Sequence, residues 1–353
     1  MKRLLKLLLI PTLCLAFISY SLSETEEIDF KLDMTSKLEV LGQPFSFSEY
    51  PSNIWDMQAY GDRIYLGCGN SSNKGPAANA GPVPVVYYDT VKSRFVTQAT
   101  IPEEQIDIYR MIDGKLVIPG HDSKESWSFG NFYTIEEDAC VKSRTVKDAV
   151  HNYDMAYFNG NLFSATGTAG FGTALMSGDM GKTWVSLTPG KAYKEGKAPL
   201  FYSEGRAYSI FQFKDKLYFT GILYNGYSYY NNFLCVDDKA DIKTAATGTS
   251  YSNDNGLSIV RASNMVPDAP RDTKLRMVRI NEINKKLIYI SGISDNDHQW
   301  LPDALYVASD INRAKRITLP EKAALPMDIL SRDDNTVYVL THVRTDEKKY
   351  INI

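Results

Sequence analysis

Tyr153-Asp154-Met155-Ala156-Tyr157-Phe158-Asn159-Gly160-Asn161-Leu162-Phe163 is the stretch that decides the fold. An alternating aromatic and apolar run meets Asn-Gly and resumes as a second run. Asn and Gly tolerate the positive φ that a two-residue turn between antiparallel strands requires, so the stretch predicts a β-hairpin. The same unit recurs along the chain. Ile54–Met57 leads through Gly61-Asp62 to Arg63–Gly67, and Ile106–Met111 through Asp113-Gly114 to Lys115–Ile118. Tyr208–Phe211 leads through Lys214-Asp215 to Lys216–Phe219, and Met277–Ile283 through Asn284-Lys285 to Lys286–Ile290. The last copy runs from Met327–Leu330 through Asp333-Asp334-Asn335 to Thr336–Val339.

The first residues after the turns are 63, 115, 161, 216, 286 and 336, spaced by 52, 46, 55, 70 and 50. A period of roughly 40–50 residues is that of a four-stranded propeller blade. The hairpins are therefore read as inner strands A and B of about six blades, each followed by outer strands C and D. In the first blade these are Val85–Asp89 and Arg94–Ala99. The 70-residue step carries an insertion near residues 244–272. After the last hairpin only Lys349–Ile353 remains, so Lys37–Phe47 is expected to supply the missing strand and close the ring, which removes open sheet edges. The fold class is all-β, a single β-propeller. A β-sandwich or two small β-domains is the alternative.

The N-terminus is set apart from this fold. Lys2, Arg3 and Lys6 precede an apolar run, Leu7–Ile18, then Ser21-Leu22-Ser23 and the acidic Glu24. This is the layout of a signal peptide spanning residues 1–23, with residues 24–353 as the propeller domain, and it implies a secreted or periplasmic protein. The run is shorter than the roughly 20 residues of a membrane span. Cleavage takes the net charge from −3 to −6. A mildly acidic chain without a basic block argues against nucleic-acid partners, and no second long apolar run predicts a membrane span. Cys68, Cys140 and Cys235 are too few and too scattered for a disulfide framework or a structural zinc site, and no motif specifies a cofactor.

Ser177-Gly178-Asp179-Met180-Gly181-Lys182-Thr183-Trp184 matches the pattern S-x-D-x-G-x-T-W. It resembles the Asp-box of the sialidase-type (BNR) propeller superfamily. The resemblance covers one blade, with a faint echo at Ala308-Ser309-Asp310. It implies a turn between strands C and D in which Ser177 and Asp179 bond the turn backbone, Gly181 takes positive φ, Thr183 completes the box and Trp184 packs between blades. In that superfamily the box is structural and lies opposite the active site, so it speaks for the fold and not for the chemistry. Sialidases require three arginines, a Tyr-Glu pair and an Asp acid. Arg206, Arg276 and Arg344 approach the expected pore, but their flanks do not match and the Arg-Ile-Pro opening is absent. Gly181-Lys182-Thr183 is not a P-loop, because Met176 stands where that motif needs Gly.

In a propeller the B–C and D–A loops share one face. The B–C loops here are 68–82, 120–130, 166–172, 223–231 and 293–302, long beside two- or three-residue A–B turns. Long loops on a rigid scaffold are where ligands bind. His121, His151, His298 and His342 all map to this face, with Asp122, Trp127, Tyr227, Tyr229, Trp300 and Arg344. Aromatic faces beside polar groups suit a sugar or another polar ring. Asp56, Asp154, Asp295 and Asp297 are the candidate catalytic carboxylates. Asp56 and Asp154 occupy equivalent positions, where bonding a neighbouring blade's backbone is the competing role. Three readings stay open: a non-catalytic module for a glycan or an extracellular protein ligand, a carbohydrate-active hydrolase or lyase using these carboxylates or a histidine-bound metal, and an assembly factor gripping a polypeptide.

Overall fold

Each of the six hairpins forms in the computed structural model of the chain, with strand pairings running outward from the expected turns. The turns carry the backbone that two-residue hairpin loops demand. Asp113 and Gly114 have φ of 49° and 74°, Asn159 and Gly160 46° and 77°. Lys214-Asp215 and Asn284-Lys285 adopt positive φ as well. The structure describes residues 39–45, 54–71, 73, 78–167, 174–187, 206–222, 232–243, 256–268, 275–294, 300–321, 323–346 and 349–352.

The strands follow one another as antiparallel meanders. Repeat 1 is β1 (Met57–Tyr60), β2 (Arg63–Leu66), β3 (Val83–Asp89) and β4 (Arg94–Ile101). A short strand, β5 (Glu103–Gln105), precedes repeat 2, which is β6 (Arg110–Ile112), β7 (Lys115–Pro119), β9 (Phe129–Glu136) and β10 (Ala139–Lys147). Another short strand, β8 (His121–Ser123), lies within its B–C connection. Repeat 3 is β11 (His151–Phe158), β12 (Asn161–Gly167), β13 (Ala174–Ser177) and β14 (Val185–Ser186). Repeat 4 is β15 (Arg206–Phe213), β16 (Lys216–Ile222), β17 (Asn232–Val236) and β18 (Leu257–Arg261). Repeat 5 is β19 (Leu275–Ile283), β20 (Lys286–Ser294), β21 (Trp300–Asp310) and β22 (Arg313–Ile317), and repeat 6 is β23 (Ala324–Asp333), β24 (Thr336–Asp346) and β25 (Lys349–Asn352). Among the described residues no helix is long and apolar enough to cross a membrane.

The core is divided into layers, one per joint between repeats. Tyr65, Val85 and Tyr87 meet Tyr109, Leu116 and Tyr133 between repeats 1 and 2. Phe132 and Val146 meet Met155 and Leu162 between 2 and 3, and Phe163 and Met176 meet Phe219 and Leu234 between 3 and 4. Phe213 and Phe233 meet Tyr289 and Tyr306 between 4 and 5. The layer between 5 and 6 is thinner, built on Ile290, Leu305, Ile317 and Ile329. Period-2 alternation gives each sheet two apolar faces, and each face is buried by the next repeat. The far face of repeat 6 differs, since Leu330, Tyr338 and Leu340 are 66, 40 and 42% exposed.

The structure departs from the sequence reading in two places. The predicted strand Ile106–Met111 is mostly not a strand. Ile106 N–H bonds the Cys68 carbonyl at 2.7 Å and Tyr109 N–H bonds the Asp56 carboxylate at 2.7 Å, so this segment is spent on repeat 1 and pairing starts only at Arg110. The segment expected to close the ring, Lys37–Phe47, shows no strand over its described part, residues 39–45, although Phe45 is buried against repeat 1. Residues 1–38, which hold the predicted signal peptide, and most of the 244–272 insertion lie outside the described residues. Cys68, Cys140 and Cys235 are all unpaired, and burial pushes the Cys68 and Cys140 thiols up to about 12 and about 11.

The turn between β13 and β14 is built by the residues singled out in the sequence. Ser177 Oγ donates to Asp179 Oδ1 and accepts from Gly181 N–H, both at 2.8 Å. Asp179 accepts from the Thr183 N–H at 2.8 Å and its hydroxyl at 2.7 Å. Gly181 has φ +84°, and a Cβ there would sit 2.7 Å from the Phe132 ring. The indole of Trp184 reaches back to repeat 2, edge-on to Phe132 at 6.4 Å, with Nε1 donating to Thr145 Oγ1 at 3.1 Å. Trp184→Ala should therefore lower unfolding free energy by about 2–3 kcal/mol in denaturant titration, below the roughly 3–5 of a fully buried Trp. An unchanged midpoint would show that the indole does not brace the joint.

Candidate functional site

Around the starts of the A strands, backbone pairing crosses from repeat to repeat. Gly69 pairs with Gln105, Gln105 with His121, His121 with His151, His151 with Gly167, and Gly167 with Arg206. Directly opposed residues in antiparallel pairs point to the same side. This row therefore presents Gln105, His121, His151 and Arg206 together, though 101 residues separate the first from the last. At Gly167 a Cβ would lie 2.9 Å from Tyr153, 3.2 Å from Arg206 and 3.2 Å from His151, so the neighbouring side chains close over it.

Two register shifts complete the cluster. The pairing of β11 with β12 skips between Asn152 and Asp154, and that of β15 with β16 between Ala207 and Ser209. A bulged residue is re-aimed relative to its ladder. The skipped residues are Tyr153 and Tyr208, whose rings meet at 4.8 Å. His151 stacks on Tyr153 at 5.2 Å with an interplanar angle of 11°, and His121 meets Tyr153 edge-on at 5.0 Å. Arg206 donates to the Tyr153 hydroxyl at 2.9 Å. The Arg276 guanidinium from repeat 5 lies 3.8 Å from the Tyr208 ring centre, within cation–π range.

Carboxylates stand behind the imidazoles. Asp122 Oδ2 lies 3.5 Å from His151 Nδ1, and Asp107 Oδ2 lies 3.9 Å from His121 Nδ1. Ser71 Oγ lies 3.2 Å from His121 Nε2. Burial, aided by Arg276 and Arg206 and opposed by Asp107, pushes His121 down to about 4. Burial and Arg206 push His151 well below its ordinary value. Both rings are thus neutral at pH 7, each with one donor and one acceptor nitrogen. Burial raises Asp122 to about 6. Among the described residues no group of three or more His, Cys, Asp or Glu could hold a metal ion.

The strand-A carboxylates do different work. Asp154 is 1% exposed; it accepts two bonds from Arg110 of repeat 2 at 2.7 and 2.8 Å and the Ile210 N–H of repeat 4 at 2.7 Å. Asp56 accepts the Tyr109 N–H and bonds Arg279 of repeat 5 at 3.3 Å. Arg279 also pairs with Asp328 of repeat 6 at 3.1 Å and donates to the Trp55 carbonyl. Asp56 and Asp154 therefore bond neighbouring repeats, the competing role that the sequence offers for both, and protein donors engage their oxygens. A second buried carboxyl, Glu103, takes Asn131 Nδ2 at 2.6 Å and the Tyr133 hydroxyl at 2.8 Å on Oε1, while its Oε2 has no hydrogen-bond partner. Burial raises it to about 7.

Of the residues predicted from sequence, His121, Asp122 and His151 come together. Trp127 stands 67% exposed, with no ring contact to the histidines among the described residues. His342 lies on β24 opposite Leu325 and Asn352, and Arg344 on the same strand opposite Tyr350. Trp300 begins β21 opposite Ser294. Asp295, Asp297, His298, Tyr227 and Tyr229 lie outside the described residues. The sequence reading did not find Ser71, Gln105, Asp107, Tyr153 and Tyr208 as members of this cluster. A cleft of 550 Å³ opens at the other end of the strands, lined by A–B turn residues including Asn159, Lys214 and Asp215. It mixes both charges and lies away from the histidines.

No protein-family model matches the sequence, and no curated protein matches it. Solved structures similar to the chain include the tricorn protease (12% identity, TM-score 0.44, 85% of this chain and 26% of that one). Hydrazine synthase of Kuenenia stuttgartiensis is similar at 9% identity and TM-score 0.48 over 84% of this chain and 75% of that one. An auxiliary nutrient binding protein from Bacteroides ovatus is similar at 12% identity and TM-score 0.42 over 82% and 66%. The chain spans about a quarter of the tricorn chain.

Two outcomes follow from the buried charges. Asp154→Asn leaves Arg110 facing a neutral amide and should destabilise the fold by about 3 kcal/mol in denaturant titration; a change below about 0.5 kcal/mol would remove its bracing role. Glu103 has a folded-state value above its unfolded one, so its contribution is present at low pH and is lost as pH rises from about 4.5 through about 7. Glu103→Gln should flatten the fall in stability between pH 5 and 8, and parallel curves for the two proteins would rule this out.

Proposed function

We propose that this chain is an exported six-bladed β-propeller that binds a glycan non-catalytically on the face where B strands end and A strands begin. The observation that carries the reading is the cross-repeat row of Gln105, His121, His151 and Arg206 beside Tyr153, Tyr208 and Arg276. Aromatic faces accept the apolar side of a sugar ring, and neutral imidazoles, an amide and guanidinium groups orient its hydroxyls or an acidic substituent. An extracellular protein ligand presenting a polar ring is the competing occupant. The six meanders and the bridging of Asp56 and Asp328 by Arg279 support the ring, and the basic and apolar layout of residues 1–23 supports export.

A second reading, hydrolase or lyase action on the same glycan, is supported by Asp122 standing 3.5 Å from His151. Asp56 and Asp154 do not serve it, since both are engaged between repeats.

Thermal melts of the full chain against neutral and acidic oligosaccharides test the binding reading. A bound sugar at a hundredfold excess over Kd should add about 2.7 kcal/mol of stability. Arg206→Ala should abolish most of that shift while leaving the unliganded melt within about 1 kcal/mol. Silence across both sugar classes would overturn the glycan reading and favour a protein ligand, and product formation from a bound sugar would replace binding by catalysis.

A further inference from the structure

One edge of the row, which shares Gln105 and His121 with the proposed binding site, carries a second arrangement. Ser71 Oγ lies 3.2 Å from His121 Nε2, and Asp107 Oδ2 lies 3.9 Å from Nδ1 on the other side of the same ring. Gln105 brackets the set. Its Oε1 accepts from the Ser71 N–H at 3.1 Å and from the Ser71 hydroxyl at 3.3 Å, and its Nε2 donates to Asp107 Oδ1 at 3.0 Å. The backbone holds the parts in register, because Gly69, two residues before Ser71, pairs with Gln105, and Gln105 pairs with His121. A Cβ on Gly69 would lie 2.3 Å from the Glu104 carbonyl oxygen, so the loop can approach this closely only with glycine there. Ser71 is half-buried, while the His121 side chain is only 8% exposed.

We propose that Ser71, His121 and Asp107 form a nucleophile, base and positioning carboxylate for acyl transfer from a carboxylic ester. The triad is recognised by geometry and roles rather than by sequence order. At 3.9 Å Asp107 lies beyond hydrogen-bond reach and His121 Nδ1 has no hydrogen-bond partner; a carboxylate that closes on Nδ1 favours the tautomer with the proton there, which leaves Nε2 to accept from the serine hydroxyl. Such contacts are commonly looser without substrate than in the reacting complex.

The step balances as follows. Ser71 Oγ bonds the ester carbonyl carbon as its proton passes to His121 Nε2 and the carbonyl electron pair moves to oxygen. The carbonyl re-forms, the bond to the alcohol oxygen breaks, and that oxygen takes the proton from Nε2. Water then attacks the acyl carbon, gives its proton to Nε2, and Ser71 recovers it on leaving with the free acid released. Ser71 and His121 are the catalytic residues; Asp107 and Gln105 are positioning residues.

The test treats the full chain with a fluorophosphonate and with p-nitrophenyl acetate, following covalent labelling by intact mass and peptide mapping. The expected result is one adduct, on Ser71, and ester hydrolysis that falls by about 100-fold or more in Ser71→Ala and in His121→Gln. Asp107→Asn should slow labelling and alter its pH profile, which loss of a merely structural contact would not do. Thermal melts of each variant confirm folding, and labelling of the wild-type chain is decisive even if a variant fails to fold. No adduct under conditions that label a known serine hydrolase, an adduct elsewhere, or hydrolysis that survives Ser71→Ala in a folded protein would each overturn the proposal and leave Gln105 and Ser71 as a loop anchor.

Discussion

The Asp154 carboxylate holds three repeats at once. It takes the guanidinium of Arg110 from repeat 2 and the backbone N–H of Ile210 from repeat 4 while standing on β11 of repeat 3. Asp56 does the equivalent for repeats 1, 2 and 5, and Arg279 links Asp56 with Asp328 of repeat 6. Apolar layers between meanders are non-directional and permit sliding, whereas a buried carboxylate engaged by a fixed N–H and a fixed guanidinium does not. Breaking such a pair leaves a buried charge exposed to a low dielectric, so the inner strands are held at one relative height.

That fixed height makes the cross-repeat row possible. The pairings that carry this row between repeats are only one or two rungs long, and a one-residue slip would turn each side chain to the opposite face. The bulges at Tyr153 and Tyr208 then set two rings beside the row. The result is a site assembled on strands, with its imidazoles buried enough to stay neutral. Neutral His121 and His151 present both a donor and an acceptor nitrogen, useful either for orienting hydroxyls or, at His121, for taking a proton from Ser71. The proposed binding and the proposed acyl transfer thus draw on one arrangement.

The carboxyls near this region are pushed the other way. Glu103, Asp56 and Asp122 are raised by burial while the histidines are lowered. The histidines oppose folding as pH falls below their unfolded value, because the unfolded chain gains protons that the folded one refuses; Glu103 opposes it as pH rises. Both effects have one origin, the exclusion of water from the meeting point of repeats 1 to 4.

The sequence by itself determined the local units. The hairpins, their Asn-Gly, Asp-Gly and related turns, the order of strands and the Asp-box turn at Ser177–Trp184 all follow from neighbours within a few residues, where φ preference and period-2 alternation act directly. Even the bonding of Asp56 and Asp154 to neighbouring repeats was legible, because the two sit at the same distance before their turns. The tertiary structure alone decided the rest. Glu103-Glu104-Gln105 and His121-Asp122-Ser123 carry no strand signal, yet they pair as β5 and β8 because repeats 1 and 2 bring their backbones together. Asp107 and Ser71 belong to irregular segments, and nothing in either marks it as a neighbour of His121. Such residues are joined by contacts between distant repeats, and those depend on how whole sheets stack, a quantity that no local window of sequence contains.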